Sequence, residues 1–132
     1  MGVYFSWRTT MGKFIIKKTN TGYRFDLAAT NGEVIASSQV YKSIRTCKAG
    51  IKSVQKNCHA PVEDQTVDPI VAVKCPKFEV YTDKAGETRF RLRASNGQNI
   101  TMSEGYSAKS SAFNGIDSIG RNAPDAKIVM AE

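Results

Sequence analysis

One histidine, three cysteines, one tryptophan and four prolines in 132 residues leave little material for several common chemistries. With a single His, two-His metal helices are excluded and any His-based catalytic pair would rest on His59 alone. Three cysteines, an odd number, do not make a disulfide framework. On a helix over residues 43–58, Cys47 and Cys58 stand about 16 Å apart along the axis, too far for a bond or a shared metal ion. Cys58-His59 is the only Cys/His neighbour pair, and no further ligands stand at metal-binding spacing from it. Buried or incidental thiols in a reducing cytoplasm are the expectation.

Long hydrophobic runs are missing too. Nothing approaches the ~18 apolar residues of a membrane span. The opening "MGVYFSWRTT" has no basic region followed by an apolar run and is not read as a secretory signal. Gly2 and Ser6 fit the loose myristoylation pattern, but Val3-Tyr4-Phe5 runs through it, and no membrane partner is expected. Met11-Gly12 directly precedes the first repeated segment, so residues 1–12 read as an N-terminal extension, or the true start is Met11. Nucleophile motifs, phosphate loops and paired carboxylates on one element are absent as well. No catalytic residue, cofactor or metal ligand is therefore assigned, and a non-enzymatic protein is expected.

What the sequence does have is one domain's worth of chain, 41% apolar, with a formal charge of +7. The excess is lopsided. Residues 1–66 hold 10 Lys/Arg against 4 Asp/Glu, and residues 67–132 hold 9 against 8. Such a balance favours solubility and attraction to polyanions without specifying a fold.

The chain also repeats itself. "ATNGEVIASSQVY" at 29–41 matches "ASNGQNITMSEGY" at 94–106, and Tyr23–Asn57 aligns with Thr88–Asn122 without a gap. Shared residues include Arg24/Arg89, Phe25/Phe90, Leu27/Leu92, Tyr41/Tyr106, Gly50-Ile51/Gly115-Ile116 and Asn57/Asn122.

Each unit reads as three strands and a helix. Phe78 and Val80 alternate with Glu79 and Tyr81; Phe90, Leu92 and Ala94 alternate with Arg89, Arg91 and Arg93. Asn-Gly predicts a two-residue type I′ hairpin turn before the third strand. Ser43 and Ser107 are the expected helix N-caps. Ile44, Cys47, Ile51, Val54 and Cys58 form one apolar stripe, matched by Ala112, Ile116, Ile119 and Ala123. Gly50 and Gly115, costly in mid-helix, predict a close approach of helix to sheet. Pro61 and Pro124 end the helices, and the runs Ile70–Val73 and Ile128–Met130 are available as closing strands. Sixty residues bury too little surface to be comfortable alone, and a three-stranded sheet has open edges. One composite α+β domain is expected: antiparallel meanders, each packed by a helix, arranged about a pseudo-twofold. Its parts are a first repeat at 13–66, a linker at 67–76 and a second repeat at 77–132.

The runs "FRLRASNG", "SEGY" and "NGIDSI", followed by "NAPDA", give the second copy a close resemblance to the repeat of the YegP-like family, a family of unknown function. The resemblance spans 13–61 and 77–130. The first copy is more diverged, with "SSQVY" for "SEGY" and "NCHAP" for "NAP". The resemblance implies a β(3)-α-β unit used in tandem or as a dimer of single units, with terminal strands exchanged. It implies no activity and no site residue.

Two charge features remain. Arg45, Lys48, Lys52 and Lys56 share one narrow face of the first helix, where the second copy has Ser110, Phe113, Asp117 and Arg121. This face is either ordinary solvated surface or a seat for phosphates on nucleic acid or an acidic protein. Arg89, Arg91 and Arg93 form a row on one strand face that must meet water, carboxylates such as Glu79 and Glu87, or a ligand, with Tyr81 available for stacking. Tyr41 and Tyr106 read as structural, with hydroxyls satisfied by backbone. Asn57 and Asn122 read as C-terminal caps. Phe113 falls outside the core pattern. The expected function is that of a binding or accessory protein, with nucleic-acid binding, or a small-molecule binder or enzyme between the repeats, as alternatives. A monomer with internal pseudo-symmetry is expected, or a homodimer.

Overall fold

The structure, a computed structural model, describes residues 12–131. The expected extension, apart from Gly12, and the Gly2/Ser6 pattern lie outside the described residues. Three strands open the fold, β1 (Lys13–Lys18), β2 (Tyr23–Ala28) and β3 (Val34–Ser37), and α1 (Ile44–Asn57) and β4 (Val62–Asp64) follow. The second unit repeats this order with β5 (Lys77–Thr82), β6 (Thr88–Arg93), β7 (Asn99–Met102), α2 (Lys109–Asn122) and β8 (Lys127–Met130).

All eight strands join one mixed sheet in the order β4-β5-β6-β7-β3-β2-β1-β8. The order reads the same from either end when the units are interchanged, which is the pseudo-twofold. Within each meander the pairing is antiparallel, as alternation predicts. Each fourth strand instead crosses to the other unit and pairs in parallel: β4 lies on β5 and β8 on β1. At the centre, β3 and β7 meet antiparallel at Ser37 and Met102. The open edge of each meander is thus filled by its neighbour's last strand, as the family resemblance implied.

Both helices cover the same face of the sheet. Phe14, Phe25, Phe78 and Phe90 are fully buried there with Ile16, Leu27, Ile51, Val54, Leu92 and Ile119. The aromatic packing is duplicated: Phe14 meets Phe25 edge-on at 5.7 Å between centroids, and Phe78 meets Phe90 at 6.0 Å. Burying side chains of this size contributes about 1.5–3 kcal/mol each. The alternate residues face away, and their register draws one row across all eight strands: Glu63, Glu79, Arg91, Met102, Ser37, Asp26, Ile15, Val129.

Several local expectations need correction. Asn31 and Asn96 do not take positive φ; Gly32 and Gly97 do, at 86° and 85°. The Gly32 N–H donates to the Ala29 carbonyl and the Ala29 N–H to the Glu33 carbonyl, making a three-residue loop whose glycine sits in the left-handed region. The Asn31 and Asn96 side chains brace these loops by accepting from the Glu33 and Gln98 amides. The closing strand of the first unit is Val62–Asp64, directly after the helix, whereas Ile70 and Val71 are 50% and 75% exposed in the connection between units. Three residues suffice for β4 because its partner β5 already exists.

The N-caps differ between the copies. Ser43 caps α1, accepting from the Thr46 amide at 3.1 Å in a capping box, whereas α2 begins one position later than Ser107 suggested, with Ala108 at the cap and no side-chain bond. At the other ends, the Asn57 and Asn122 amide groups donate to the Ser53 and Ser118 carbonyls at 2.9 and 2.8 Å.

Candidate functional site

The arginine row lies on the uncovered face, and it is engaged. Arg91 and Arg93 donate from Nε to the same oxygen of Glu79, at 2.5 and 2.6 Å, and Lys77 reaches the other oxygen at 3.1 Å. The Arg91 guanidinium also lies 4.3 Å from the centre of the Tyr81 ring. Arg89 pairs with Asp83 at 2.6 Å and donates to the Ser103 carbonyl. Glu87, the other carboxylate considered for the row, packs beside Gly105. Glu79 is 4% exposed, and neighbouring Glu63 on β4 is 5% exposed. Lys77 holds Glu63 at 2.8 Å, Gln65 donates to one of its oxygens and the Val73 amide to the other.

These donors set the acidities. The Lys77 ammonium, the Gln65 amide and the Val73 N–H bring the Glu63 carboxyl down to about 2. Burial works to raise Glu79, but Arg91, Arg93 and Lys77 outweigh it and bring that carboxyl to about 2 as well. Among the described residues the first unit has no equivalent cluster. Ile15 and Val129 stand where the second has Glu79 and Glu63, and Asp26, 2% exposed, is held by Lys17 at 2.8 Å and by the Ser37 hydroxyl.

The α1 face is arranged differently. Arg45, Lys48, Lys52 and Lys56 are all exposed, and none forms an ion pair among the described residues. The capping box holds the start of this helix, and Cys47, Ile51 and Val54 fix its rotation by burying the opposite stripe. On α2 the matching positions carry no such charge: Arg121 is bound to Asp117 at 2.8 Å, and Phe113 is partly exposed beside Lys109.

The meeting of the two units at β3 and β7 leaves two clefts that sequence reasoning did not locate. The larger, about 580 Å³, lies between the β2–β3 turn of the first unit and α2 of the second. The smaller, about 220 Å³, occupies the pseudo-equivalent place between the β6–β7 turn and α1. Tyr106 borders the first and Tyr41 the second. Their backbones bridge to Thr88 and Tyr23, but neither hydroxyl bonds to backbone among the described residues, contrary to expectation. Each ring stacks on a core phenylalanine, Tyr41 on Phe25 and Tyr106 on Phe90, at interplanar angles of 12°. The mid-helix glycines make room for this: a Cβ on Gly50 would come 2.3 Å from the Tyr41 hydroxyl, and one on Gly115 would come 2.8 Å from the Phe90 ring. The only signals in sequence were the repeated Tyr and Gly, whose partners depend on strand order.

Cys47 and Cys58 are buried, which raises both thiols above their usual acidity range, and Cys75 is half-buried; none is in a disulfide. Among the described residues, no three His, Cys, Asp or Glu side chains are placed to share a metal ion, and no helix is long and apolar enough to cross a membrane.

The family model for the Domain of unknown function (DUF1508) matches twice, over residues 19–64 and 83–129, one match per structural unit. The chain belongs to this family. It is 39% identical over 113 residues to the UPF0339 protein YegP of Yersinia pestis, covering 85% of this chain and 88% of that one. With the UPF0339 protein in the ptx operon 5′ region of Stutzerimonas stutzeri it shares 62% identity over 48 residues, 36% of this chain and 43% of the relative. The solution structure of yegP from E. coli, a protein of unknown function, superposes with a TM-score of 0.73 at 29% identity, covering 91% of this chain and 92% of that one. These names carry no activity, substrate or partner, so the functional reading rests on the side chains.

Proposed function

We propose that this is a non-enzymatic binding protein whose α1 face takes the phosphate backbone of a nucleic acid. One observation carries the reading: Arg45, Lys48, Lys52 and Lys56 are exposed without carboxylate partners among the described residues, while the Arg89–Arg93 row is engaged by Glu79 and Asp83. The four cations run about 16 Å along the helix, the span of several phosphates at about 3.4 Å per step on one strand. Phosphate contacts carry no sequence information, so binding of this kind would be sequence-tolerant. The Arg91 and Arg93 side chains then serve the scaffold, holding β5, β6 and the exchanged β4 together through Glu79 and Lys77, while Arg89 braces the β5–β6 turn through Asp83. In this reading the repeats run over 13–66 and 77–132, joined by a linker at 67–76. The three cysteines outside disulfides fit a cytoplasmic setting.

The test is fluorescence anisotropy of labelled single- and double-stranded DNA and RNA across a salt series. Four phosphate contacts give a slope of log affinity against log salt of roughly −3 to −4. A Lys48→Gln/Lys52→Gln/Lys56→Gln variant should lose most of the binding and flatten the slope. No anisotropy change at low salt, or equal binding by the variant, would overturn the reading.

A further inference from the structure

We infer that the larger inter-repeat cleft binds a small, neutral, polyhydroxylated molecule, of the size of a monosaccharide or polyol. Its volume of about 580 Å³ falls within the usual range of small-ligand sites, about 300–1,000 Å³. Its two walls come from different repeats: Glu33 stands on the turn of the first, and Tyr106, Ser111, Asn114 and Ser118 stand on the second. The site therefore exists only where the two repeats meet through β3 and β7.

The lining chooses the chemistry. Hydroxyls and amides, each able to give and accept hydrogen bonds, make up most of the polar groups. Arg121, the cation on the rim, is held by Asp117 at 2.8 Å, and Glu33 has no ion-pair partner among the described residues. An anionic ligand would meet the Glu33 carboxylate without an ion-pair partner among the described residues, and the one cation on the rim already faces Asp117. A polyol would offer Glu33 hydroxyl donors and take donors from Ser111, Asn114 and Tyr106. Burial, with Glu104 and Glu33 nearby, raises the Tyr106 phenol, which keeps its proton available for donation. Stacking on Phe90 fixes the ring, and the missing Cβ of Gly115 leaves space at the hydroxyl, which makes no hydrogen bond among the described residues. In the smaller cleft, Ala49 replaces Asn114 and Gln98 replaces Glu33 within about 220 Å³. One ligand per chain is expected.

The experiment is a titration of the full ¹⁵N-labelled chain with glucose, galactose, mannitol and myo-inositol, with glutamate and inorganic phosphate as charged comparators, read by amide chemical shifts. At least one neutral probe should give saturable shifts at Glu33 and residues 111–118, with a Kd of about 1 mM or tighter. Tyr106→Phe, which keeps the stacked ring, should weaken that binding about fivefold to tenfold. Asn114→Leu, at an exposed helix position, should abolish it with little change in melting temperature. Shifts in this cleft from the charged probes alone, no saturable shift from any neutral probe, or unchanged affinity in both variants would each overturn the inference. Loss of nucleic-acid binding by α1 would leave it untouched, since the cleft shares no residue with that face.

Discussion

The Lys77 ammonium lies 2.8 Å from the Glu63 carboxylate, and this one contact joins β5 of the second repeat to the strand the first repeat sends across. The same ammonium holds Glu79 at 3.1 Å, so two nearly buried carboxylates on neighbouring strands share one lysine. Removing its charge in Lys77→Met leaves like charges side by side, with Arg91 and Arg93 serving only Glu79. The variant should melt at least several degrees below wild type and regain stability when Glu63→Gln is added. Equal melting temperatures for wild type and Lys77→Met would count against this role.

The cluster sets an acid limit. Glu63 and Glu79 both titrate at about 2 in the folded protein, below the ordinary glutamate value of 4.5. Depressed folded values mean that the stabilisation is complete above pH 4.5 and drains away as pH falls toward 2, because the unfolded chain binds protons first. Urea midpoints measured from pH 6 to pH 2 should fall across that window. Replacing both residues with Gln should flatten the profile there, even if the variant is less stable at neutral pH.

The fold was legible in proportion to how local its causes are. Alternation at Phe78–Tyr81 and at Arg89–Ala94, the stripe from Ile44 to Cys58 and the repeat itself gave the strands, helices and symmetry. The hairpin type was misread because Asn-Gly alone does not reveal that Ala29 and Glu33 close a longer loop with only Gly32 at positive φ. The apolar content of Ile70–Val73 pointed to a strand, but β4 is chosen by the vacant edge of β5, a relation between units. For the same reason the cleft was invisible: Glu33 and Tyr106 are 73 positions apart and share a cavity only because β3 and β7 meet at the centre of the sheet. The exposed basic row could be read from helical spacing, whereas the engagement of the arginine row needed the register of β5 against β6.

Strand exchange predicts that the linker is dispensable once folding is complete. Val67, Ile70 and Val71 are exposed between the units, while β4 and β8 are each hydrogen-bonded into the other repeat. A protease cut introduced there should leave both halves eluting together in gel filtration at the size of the intact chain. They should separate only when denaturant unfolds the sheet. Separation under native conditions would contradict the exchanged topology.

The helix starts offer a matched pair of stability tests. Ser43 caps α1, so Ser43→Ala should cost about 1 kcal/mol. Ala108 stands at the equivalent place on α2 with an extended backbone and no side-chain bond, so Ala108→Ser should gain about the same amount. Thermal or urea unfolding of both variants measures the two signs directly.

The paired glycines make a sharper claim, because helix propensity and packing pull in opposite directions. Alanine in place of a mid-helix glycine gains about 1 kcal/mol in propensity. At Gly50 the new Cβ would come 2.3 Å from the Tyr41 hydroxyl and 2.7 Å from the ring carbon that bears it. Overpacking of this kind costs about 1–3 kcal/mol, so Gly50→Ala should be net destabilising or at best neutral. Adding Tyr41→Phe removes the nearest atom and should recover part of the loss. At Gly115 the nearest atom is Phe90 Cε2 at 2.8 Å, ahead of the Tyr106 hydroxyl at 3.0 Å, so Tyr106→Phe should rescue Gly115→Ala less well. A double-mutant cycle on each pair, read by urea unfolding, gives the two coupling energies, and the Tyr41–Gly50 coupling should be the larger. Equal couplings would mean that the tyrosines, rather than the core phenylalanines, set the helix-to-sheet distance in both repeats.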